Sequence, residues 1–242
     1  MISLESIRGG LIVSCQAVPR TPLSKPTVLS LMAVSVVGAG AVAVRAEGLD
    51  NIRAIRGAVA VPVVGLIKVG SNGPYITPTL EDALAIAAAG AEIIAIDATL
   101  RPRRDGRRLE EIIATIHAET GCLVMADIST LEEGIVAVGS GADLVATTLS
   151  GYTPYTTGNG RPDRKLVREL SSRVQVPVVA EGRIGTPRQA REAIEAGAFA
   201  VVVGTAITDP GAIATRFLEE MRANRLAAAT PPRAKGHEGD GS

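Results

Sequence analysis

Aromatic side chains are scarce in this sequence. Phe, Trp and Tyr make up 2% of the 242 residues and Trp does not occur, whereas 46% of the residues are hydrophobic. The core must therefore be built from Val, Ile, Leu and Ala, which is typical of buried parallel strands covered by helices. Cysteine is also rare: Cys15 and Cys122 are the two in the chain, and each lies in an apolar, strand-like run. We interpret both as buried, reduced thiols.

Net charge and long apolar segments are lacking as well. The 25 Lys and Arg balance the 25 Asp and Glu, so no overall field favours nucleic acid or an anionic membrane. The longest apolar stretches have about ten residues, too few to span a bilayer, and the N-terminus has no apolar core of signal-peptide type. These features predict a cytoplasmic protein without nucleic-acid or membrane partners.

Motifs for metals and common cofactors are missing too. His117 lies in a helical segment and His237 near the C-terminus, so neither fits a metal cluster. The sequence contains no P-loop and no GxGxxG after a strand. We therefore expect no metal and no organic cofactor. The arginine-rich run 101–108 has no accompanying aromatics, so we interpret it as a solvated loop near the site rather than a nucleic-acid patch.

The apolar pattern alternates short β-branched runs with segments of helical spacing. The predicted strands are Leu11–Ser14, Ala41–Arg45, Val61–Ile67, Ile93–Asp97, Leu123–Asp127, Leu144–Thr147, Val178–Glu181 and Ala200–Val203. Eight such units in series predict an α/β protein, a single (β/α)8 TIM barrel over residues 1–226; an open, doubly wound sheet is the alternative. Leu4 and Ile7 could close the barrel floor. Residues 227–242, rich in Ala, Pro, Gly and charge, are predicted to be a disordered tail.

Polar residues follow almost every predicted strand. They are Gln16, Arg45 with Glu47, Lys68, Asp97, Asp127, Thr147 with Thr148, Glu181, and Gly204 with Thr205. Barrel enzymes carry their chemistry at the carboxyl ends of the strands, so these side chains should meet at one mouth. A barrel with a purely structural role has no need of this arrangement.

Two charged residues are the strongest catalytic candidates. Lys68 ends an apolar strand, where a charge is costly unless it reaches a polar cavity, and a cationic neighbour such as Arg45 would favour the neutral base. The alternative for Lys68 is an ion pair with a carboxylate such as Asp127. Glu181 ends strand seven and precedes Gly182; its alternative is an ion pair with Arg183 at the rim. Of Asp97 and Asp127, we expect one to cap a loop and select Asp127 for the site.

The loops after strands seven and eight predict a phosphate site. Gly182 and Arg183 follow one strand, and Gly204 and Thr205 follow the other. Barrels commonly bind phosphate in these two loops, through backbone N–H groups and a short helix.

Eight segments, in chain order, resemble the N-acylglucosamine-6-phosphate 2-epimerase (N-acetylmannosamine-6-phosphate 2-epimerase) family: Ser14–Ala17, Val44–Gly48, Gly65–Lys68, Tyr75–Thr79, Ala126–Thr130, Thr147–Thr153, Ala180–Ile184 and Val203–Thr208. The resemblance implies conversion of N-acetylmannosamine 6-phosphate to N-acetylglucosamine 6-phosphate in sialic acid breakdown, without a cofactor. It also implies that Lys68 and Glu181 are the catalytic pair, that Gln16, Arg45 and Asp127 bind or orient the sugar and Lys68, and that the two glycine loops hold the phosphate.

Our mechanistic hypothesis has Lys68 removing and returning the C2 proton while Glu181 assists ring opening and donates toward O1. A two-base version, with Glu181 serving the opposite face, is the nearest rival. The other candidate functions are a different phosphate-binding barrel isomerase, an aldolase that uses Lys68 as a Schiff-base nucleophile, and a non-catalytic sugar-phosphate sensor. The apolar C-terminal helix Ile213–Leu226 could serve a homodimer contact.

The sequence departs from the family pattern at two places. Residues 69–71 are Val-Gly-Ser where the family usually has an arginine and an acidic residue. Asp209 stands where the family usually has an arginine near the phosphate, so phosphate affinity or substrate choice could differ. Arg183 or an arginine of the 101–108 loop could compensate.

Overall fold

The structure is a computed structural model that describes residues 3–17, 21–71, 73–158 and 160–229, with side chains described as far as residue 222. Over these residues, eight parallel strands pair in chain order, and β1 pairs with β8 to close the sheet. This confirms the predicted (β/α)8 barrel and contradicts the open sheet. The last helix is described through Ala229; the rest of the predicted tail, 230–242, lies outside the described residues.

The strands lie within two residues of the predicted runs. They are β1 Leu11–Cys15, β2 Ala43–Glu47, β3 Val63–Leu66, β4 Ile93–Asp97, β5 Leu123–Asp127, β6 Leu144–Ala146, β7 Val178–Ala180 and β8 Ala200–Val203. Strand β3 starts two residues later than predicted, directly after Pro62. Proline has no N–H to donate to a strand ladder, which explains that boundary.

The helices form the outer ring. They are α1 Pro26–Gly38, α2 Leu49–Arg56, α3 Leu80–Ala88, α4 Leu109–Thr120, α5 Leu131–Gly139, α6 Arg164–Arg173, α7 Pro187–Glu195, α8 Thr205–Thr208 and α9 Pro210–Ala229. Thr79 and Thr130 accept hydrogen bonds from backbone N–H groups in the first turns of α3 and α5, as their N-cap positions predict. Among the described helices, none combines the length and the apolar character needed to cross a membrane.

Two apolar layers share the strands. Side chains such as Val44 and Ile94 point outward and pack under the helices. Their neighbours, such as Ile12, Val64 and Met125, point inward and fill the barrel. Ile7, in a short 3-10 helix at Leu4–Ile7, is fully buried and packs against this inner layer, as the prediction for the barrel floor requires.

Candidate active site

The alternation of side chains along each strand brings the polar residues together. Arg45 is in phase with inward-facing Ala43, and Lys68 continues the inward phase of Val64 and Leu66. Because successive side chains of a strand point to opposite faces, these residues all face the barrel axis. They line a cavity of about 680 Å³ at the carboxyl ends of the strands, within the range of small-molecule sites.

Eight of the predicted site residues line this cavity: Gln16, Arg45, Lys68, Glu181, Gly182, Arg183, Gly204 and Thr205. Asp127 is fully buried and, within the described part of the chain, does not line the cavity. It contacts the side chains that do.

Arg45 is a buried cation at the cavity floor, with 1% of its side chain exposed. Its Nη2 lies 2.5 Å from Asp127 Oδ2 and its Nη1 lies 3.3 Å from Glu181 Oε2. Burial opposes the charge of Arg45, but the attraction of Asp127 and Glu181 outweighs it and raises the pKa of the guanidinium. Asp127 therefore pairs with Arg45, and the carboxylate within ion-pair distance of Lys68 is Glu47 rather than Asp127.

Glu181 faces the cavity and keeps 14% of its side-chain exposure. Burial raises the pKa of Glu181 above its ordinary 4.5, although Arg45 opposes this shift. Thr148 Oγ1 lies 2.7 Å from Asp127 Oδ1 and 3.1 Å from Glu181 Oε2. A hydroxyl can donate to only one of these oxygens. The Thr148 hydroxyl is therefore shared as a donor between the Asp127 and Glu181 carboxyl groups. The partners of Glu181 are thus Arg45 and Thr148 rather than the predicted alternative, Arg183.

Lys68 lies on the opposite wall, because β3 and β7 are four strands apart in the closed ring. Its Nζ lies 2.6 Å from Gln16 Oε1 and 3.8 Å from Glu47 Oε2. The side chain is 41% exposed. These two contacts of Lys68 are with acceptors, and Arg45 is held by its own carboxylates; the predicted effect of Arg45 on Lys68 stays a prediction.

Asp97 has a structural role. Its Oδ1 accepts hydrogen bonds from the Thr99 N–H at 3.1 Å and the Thr99 hydroxyl at 2.6 Å, and its Oδ2 accepts from Arg101 at 2.7 Å. Burial raises the pKa of Asp97, opposed by these contacts. The expectation that one of the two aspartates caps a loop is confirmed for Asp97.

The 101–108 loop supports the segment after Lys68. Arg104 donates to the Val69 carbonyl at 2.9 Å, and Arg103 donates to the Asp97 and Thr77 carbonyls. Among the described residues, none of this loop lines the cavity. Of the two predicted ways to compensate for Asp209, Arg183 is the one whose residue lines the cavity.

The predicted phosphate site lies at the loops after β7 and β8, where a turn with positive φ angles is followed by charged side chains. Gly182 has φ +106° and Arg183 has φ +56°, a left-handed turn that glycine adopts without strain. The Arg183 guanidinium donates to the carbonyls of Ser150 at 2.5 Å and Arg161 at 2.8 Å, so it joins the loops after β6 and β7. Asp209 Oδ1 accepts from the backbone N–H of Ala212 at 2.9 Å and caps α9.

Several cavity residues escaped the sequence-based site. Tyr75 and Tyr152 line the cavity; burial, with Asp127 and Asp97 nearby, raises the pKa of Tyr75 to about 12. Glu47 also lines it; the sequence indicated Glu47 at the mouth beside Arg45, but it was not selected as a site residue. The tyrosines lie in loops, where no periodicity indicates which way a side chain points. Among the described residues, no cluster of three or more His, Cys, Asp or Glu could hold a metal ion.

Comparison with known proteins gives a consistent result. Residues 29–223 match a family model described as "Putative N-acetylmannosamine-6-phosphate epimerase". A protein from Cutibacterium acnes named "Putative N-acetylmannosamine-6-phosphate 2-epimerase" is 48% identical over 221 residues, which cover 90% of this chain and 96% of that protein. A protein of the same name from Clostridium perfringens is 43% identical over 221 residues, covering 90% of this chain and all of that one.

Solved structures extend the comparison. The structure of the N-acetylmannosamine-6-phosphate 2-epimerase from Clostridium perfringens superposes with a TM-score of 0.86 at 42% identity, covering 90% of this chain and 95% of that one. Thiamine phosphate pyrophosphorylase from Pyrococcus furiosus superposes with a TM-score of 0.58 at 16% identity, covering 92% and 98%. The second similarity concerns the fold alone.

Proposed function

The chain belongs to the N-acetylmannosamine-6-phosphate epimerase family, and we propose that Lys68 and Glu181 perform its proton transfers. The chain is a carbohydrate epimerase that interconverts N-acetylmannosamine 6-phosphate and its C2 epimer, N-acetylglucosamine 6-phosphate. A role in sialic acid catabolism and a cytoplasmic location are part of this proposal. The observation that carries the site assignment is that Lys68 and Glu181 lie on opposite walls of one polar cavity.

The C2 proton becomes acidic when the sugar ring opens and C1 is an aldehyde. Lys68, as the neutral amine, takes the proton from C2, while the protonated Glu181 carboxyl donates to O1 and an enol forms. The Lys68 ammonium then returns a proton to the other face of C2 as Glu181 recovers its proton from O1. A positioned acid or base of this kind contributes about 10²–10⁴-fold to the rate.

The burial of Glu181 supports its role as the acid. Burial raises its pKa and so favours the protonated carboxyl, against the opposing effects of Arg45 and of the hydrogen bond from Thr148. Asp127 is the carboxylate that neutralises Arg45, so Glu181 can stay protonated beside that cation. We assign Gln16 and Arg45 to binding and orientation, and Asp127 to holding Arg45 in place.

The phosphate is assigned to the loops after β7 and β8. Gly182 and Gly204 border the cavity together with Arg183 and Thr205. At Gly182 the left-handed backbone and the absence of a side chain allow a ligand to approach closely. Arg183 adds a cation at the rim while it holds the loop after β6.

Incubation with N-acetylmannosamine 6-phosphate in deuterated solvent, followed by NMR, tests this function. We expect N-acetylglucosamine 6-phosphate to form with deuterium at C2. We expect Lys68→Ala to abolish both epimerisation and exchange. Exchange without epimerisation in Glu181→Gln would favour the two-base version, in which Glu181 serves the second face. No product from folded wild-type protein would contradict the proposal, and a borohydride-trapped adduct at Lys68 would favour an aldolase.

The predicted homodimer is supported by an apolar groove on the barrel surface that α9 of the same chain leaves uncovered. Each strand of such a barrel is normally covered by the helix that follows it. Instead, an apolar groove of about 440 Å³ lies over β8, β1 and α7, with Leu11, Val201 and Ile194 in its wall. On α9, Phe217 is 68% exposed and Met221 is 57% exposed. We propose that α9 of a second copy covers this groove.

Light scattering during gel filtration tests the dimer. Phe217→Asp places a charge on the apolar face of α9 and should convert a dimer to a monomer at micromolar concentration. Glu220→Gln, a change at an exposed charged position of the same helix, is the matched control and should remain dimeric. A wild-type protein that elutes as a monomer would overturn the proposal.

A further inference from the structure

Lys68 lies between two acceptor groups, Gln16 at hydrogen-bond distance and Glu47 at the longer distance of an ion pair, and Glu47 has no role in the reaction described above. Gln16 Oε1 is 2.6 Å from Nζ, and Glu47 Oε2 is 3.8 Å from Nζ on the side of β2. Gln16 Nε2 donates to Ser14 Oγ at 2.8 Å, so the amide is oriented with its oxygen toward the lysine. Glu47 ends β2 with 29% of its side chain exposed, and it lines the substrate cavity.

In the neutral form of Lys68, these two acceptors can restrict the orientation of the amine. The base form of Lys68 has two N–H bonds and one lone pair. If one N–H points at Gln16 and the other at Glu47, rotation about the Cε–Nζ bond is restricted and the lone pair takes the remaining direction. With a single acceptor, the amine can turn its lone pair away from the substrate.

We infer that Glu47 is a positioning residue, which together with Gln16 directs the lone pair of Lys68 toward C2 of the substrate. This inference rests on the proposed function of Lys68 as the base. The carboxylate also has a second effect, because its charge stabilises the ammonium form that holds the proton between removal and return. Glu47 thus serves both halves of the cycle without contacting the reacting atoms.

Other groups that face Lys68 are less suited to this role. Glu181 approaches from β7 and interacts electrostatically with Lys68, but it is held by Arg45 and Thr148. Arg104, from the loop after β4, donates to the carbonyl of Val69 next to the lysine. Tyr75, on the segment that returns from β3, keeps its proton because its pKa is raised to about 12. Glu47 is therefore the carboxylate within ion-pair distance of Lys68 on the β2 side.

Two substitutions separate the orientation from the charge. Glu47→Ala removes both, and we expect kcat to fall about 10–100-fold, the loss typical of a misplaced catalytic group, with KM within roughly twofold. Glu47→Gln keeps an acceptor oxygen, so kcat should stay within about fivefold. Asp50→Asn, at an 84% exposed carboxylate on the neighbouring helix, should match wild type.

The outcomes distinguish this inference from the proposed function. Wild-type kcat in both Glu47 variants would overturn the inference and leave the epimerase intact. A raised KM with unchanged kcat in Glu47→Ala would also overturn it, because Glu47 would then bind substrate. If folded wild-type protein lacks activity, the proposed function fails. The rate of Lys68 acetylation by acetic anhydride, read by mass spectrometry, then decides: a changed rate in Glu47→Ala relative to Asp50→Asn supports the contact, and an equal rate refutes it.

Discussion

Replacing Arg45 by methionine should test whether the buried ion pairs hold the site together. Arg45 has 1% of its side chain exposed and Asp127 none. Methionine fills a similar volume but leaves Asp127 as a buried carboxylate without a cation. Removing one partner of a buried pair costs about 3–5 kcal/mol because the other charge remains desolvated. That loss is a large part of the stability of a typical domain, about 5–15 kcal/mol.

A second substitution separates the value of the pair from the cost of breaking it. In Arg45→Met with Asp127→Asn, both charges are removed, and replacing a buried pair by uncharged groups is often nearly neutral. We therefore expect the double variant to recover most of the loss, to within about 1–2 kcal/mol of wild type. Arg53→Met, at an exposed ion pair with Asp50, is the control and should change stability by less than about 0.5 kcal/mol.

Urea unfolding followed by far-ultraviolet circular dichroism is the suitable assay, because the chain has no Trp for fluorescence. The midpoint and slope of each transition yield the free energy of unfolding. A loss below about 1 kcal/mol in Arg45→Met would refute the reasoning, since such a value is typical of an exposed ion pair. The single variant Asp127→Asn is measured as well. If the double variant loses as much stability as Arg45→Met and Asp127→Asn lose together, the reasoning is refuted equally, because independent effects add.

Further predictions concern separate parts of the molecule. Asp209→Asn keeps the α9 cap but removes a negative charge at the cavity, so KM for the sugar phosphate should fall about two- to tenfold by steady-state kinetics; an unchanged KM would show that the carboxylate does not reach the phosphate. Gly65→Ala should destabilise the protein by about 1–3 kcal/mol in urea melts, because its Cβ would lie 2.5 Å from Ile86; a neutral effect would contradict this packing. Burial raises the pKa of Cys15 to about 12, so Ellman's reagent should modify Cys15 only after denaturation, and rapid native labelling would disprove its burial. The pKa of Glu181 is raised above 4.5, so kcat/KM should fall as pH rises through this raised pKa, because the general acid is then lost. Glu181→Gln should lose this alkaline fall in kcat/KM; if the fall is retained, another group causes it.

The barrel could be predicted because its signal is local. Runs such as Ile93–Asp97 and Leu123–Asp127 are strands with the predicted bounds, since β-branched residues between helix caps leave few alternatives. The polar residues of the mouth were predictable for a related reason. Their positions in the strands determine that they face the barrel axis, and the fold rule determines which end they occupy.

Pairings across the barrel were less predictable. The sequence indicated that Lys68 and Arg45 would be neighbours, whereas Lys68 contacts Gln16 and Glu47, and Arg45 contacts Asp127 and Glu181. The predicted burial of Cys122 is only partly right, since this thiol is half-buried. Contacts of this kind depend on strand register and side-chain direction at closure, which distant segments set together.

By itself the sequence determined the order of strands and helices, the inward phase of the charged residues and the mouth at which they meet, because each follows from short-range periodicity and a general rule of the fold. The tertiary structure alone decided which charges neutralise each other. The closed ring of strands brings Arg45 between Asp127 and Glu181. In the same ring, Lys68 contacts Gln16 and Glu47. The physical reason is that a buried charge is stabilised by whichever opposite charge lies within a few ångströms, and that distance is not encoded in any one segment.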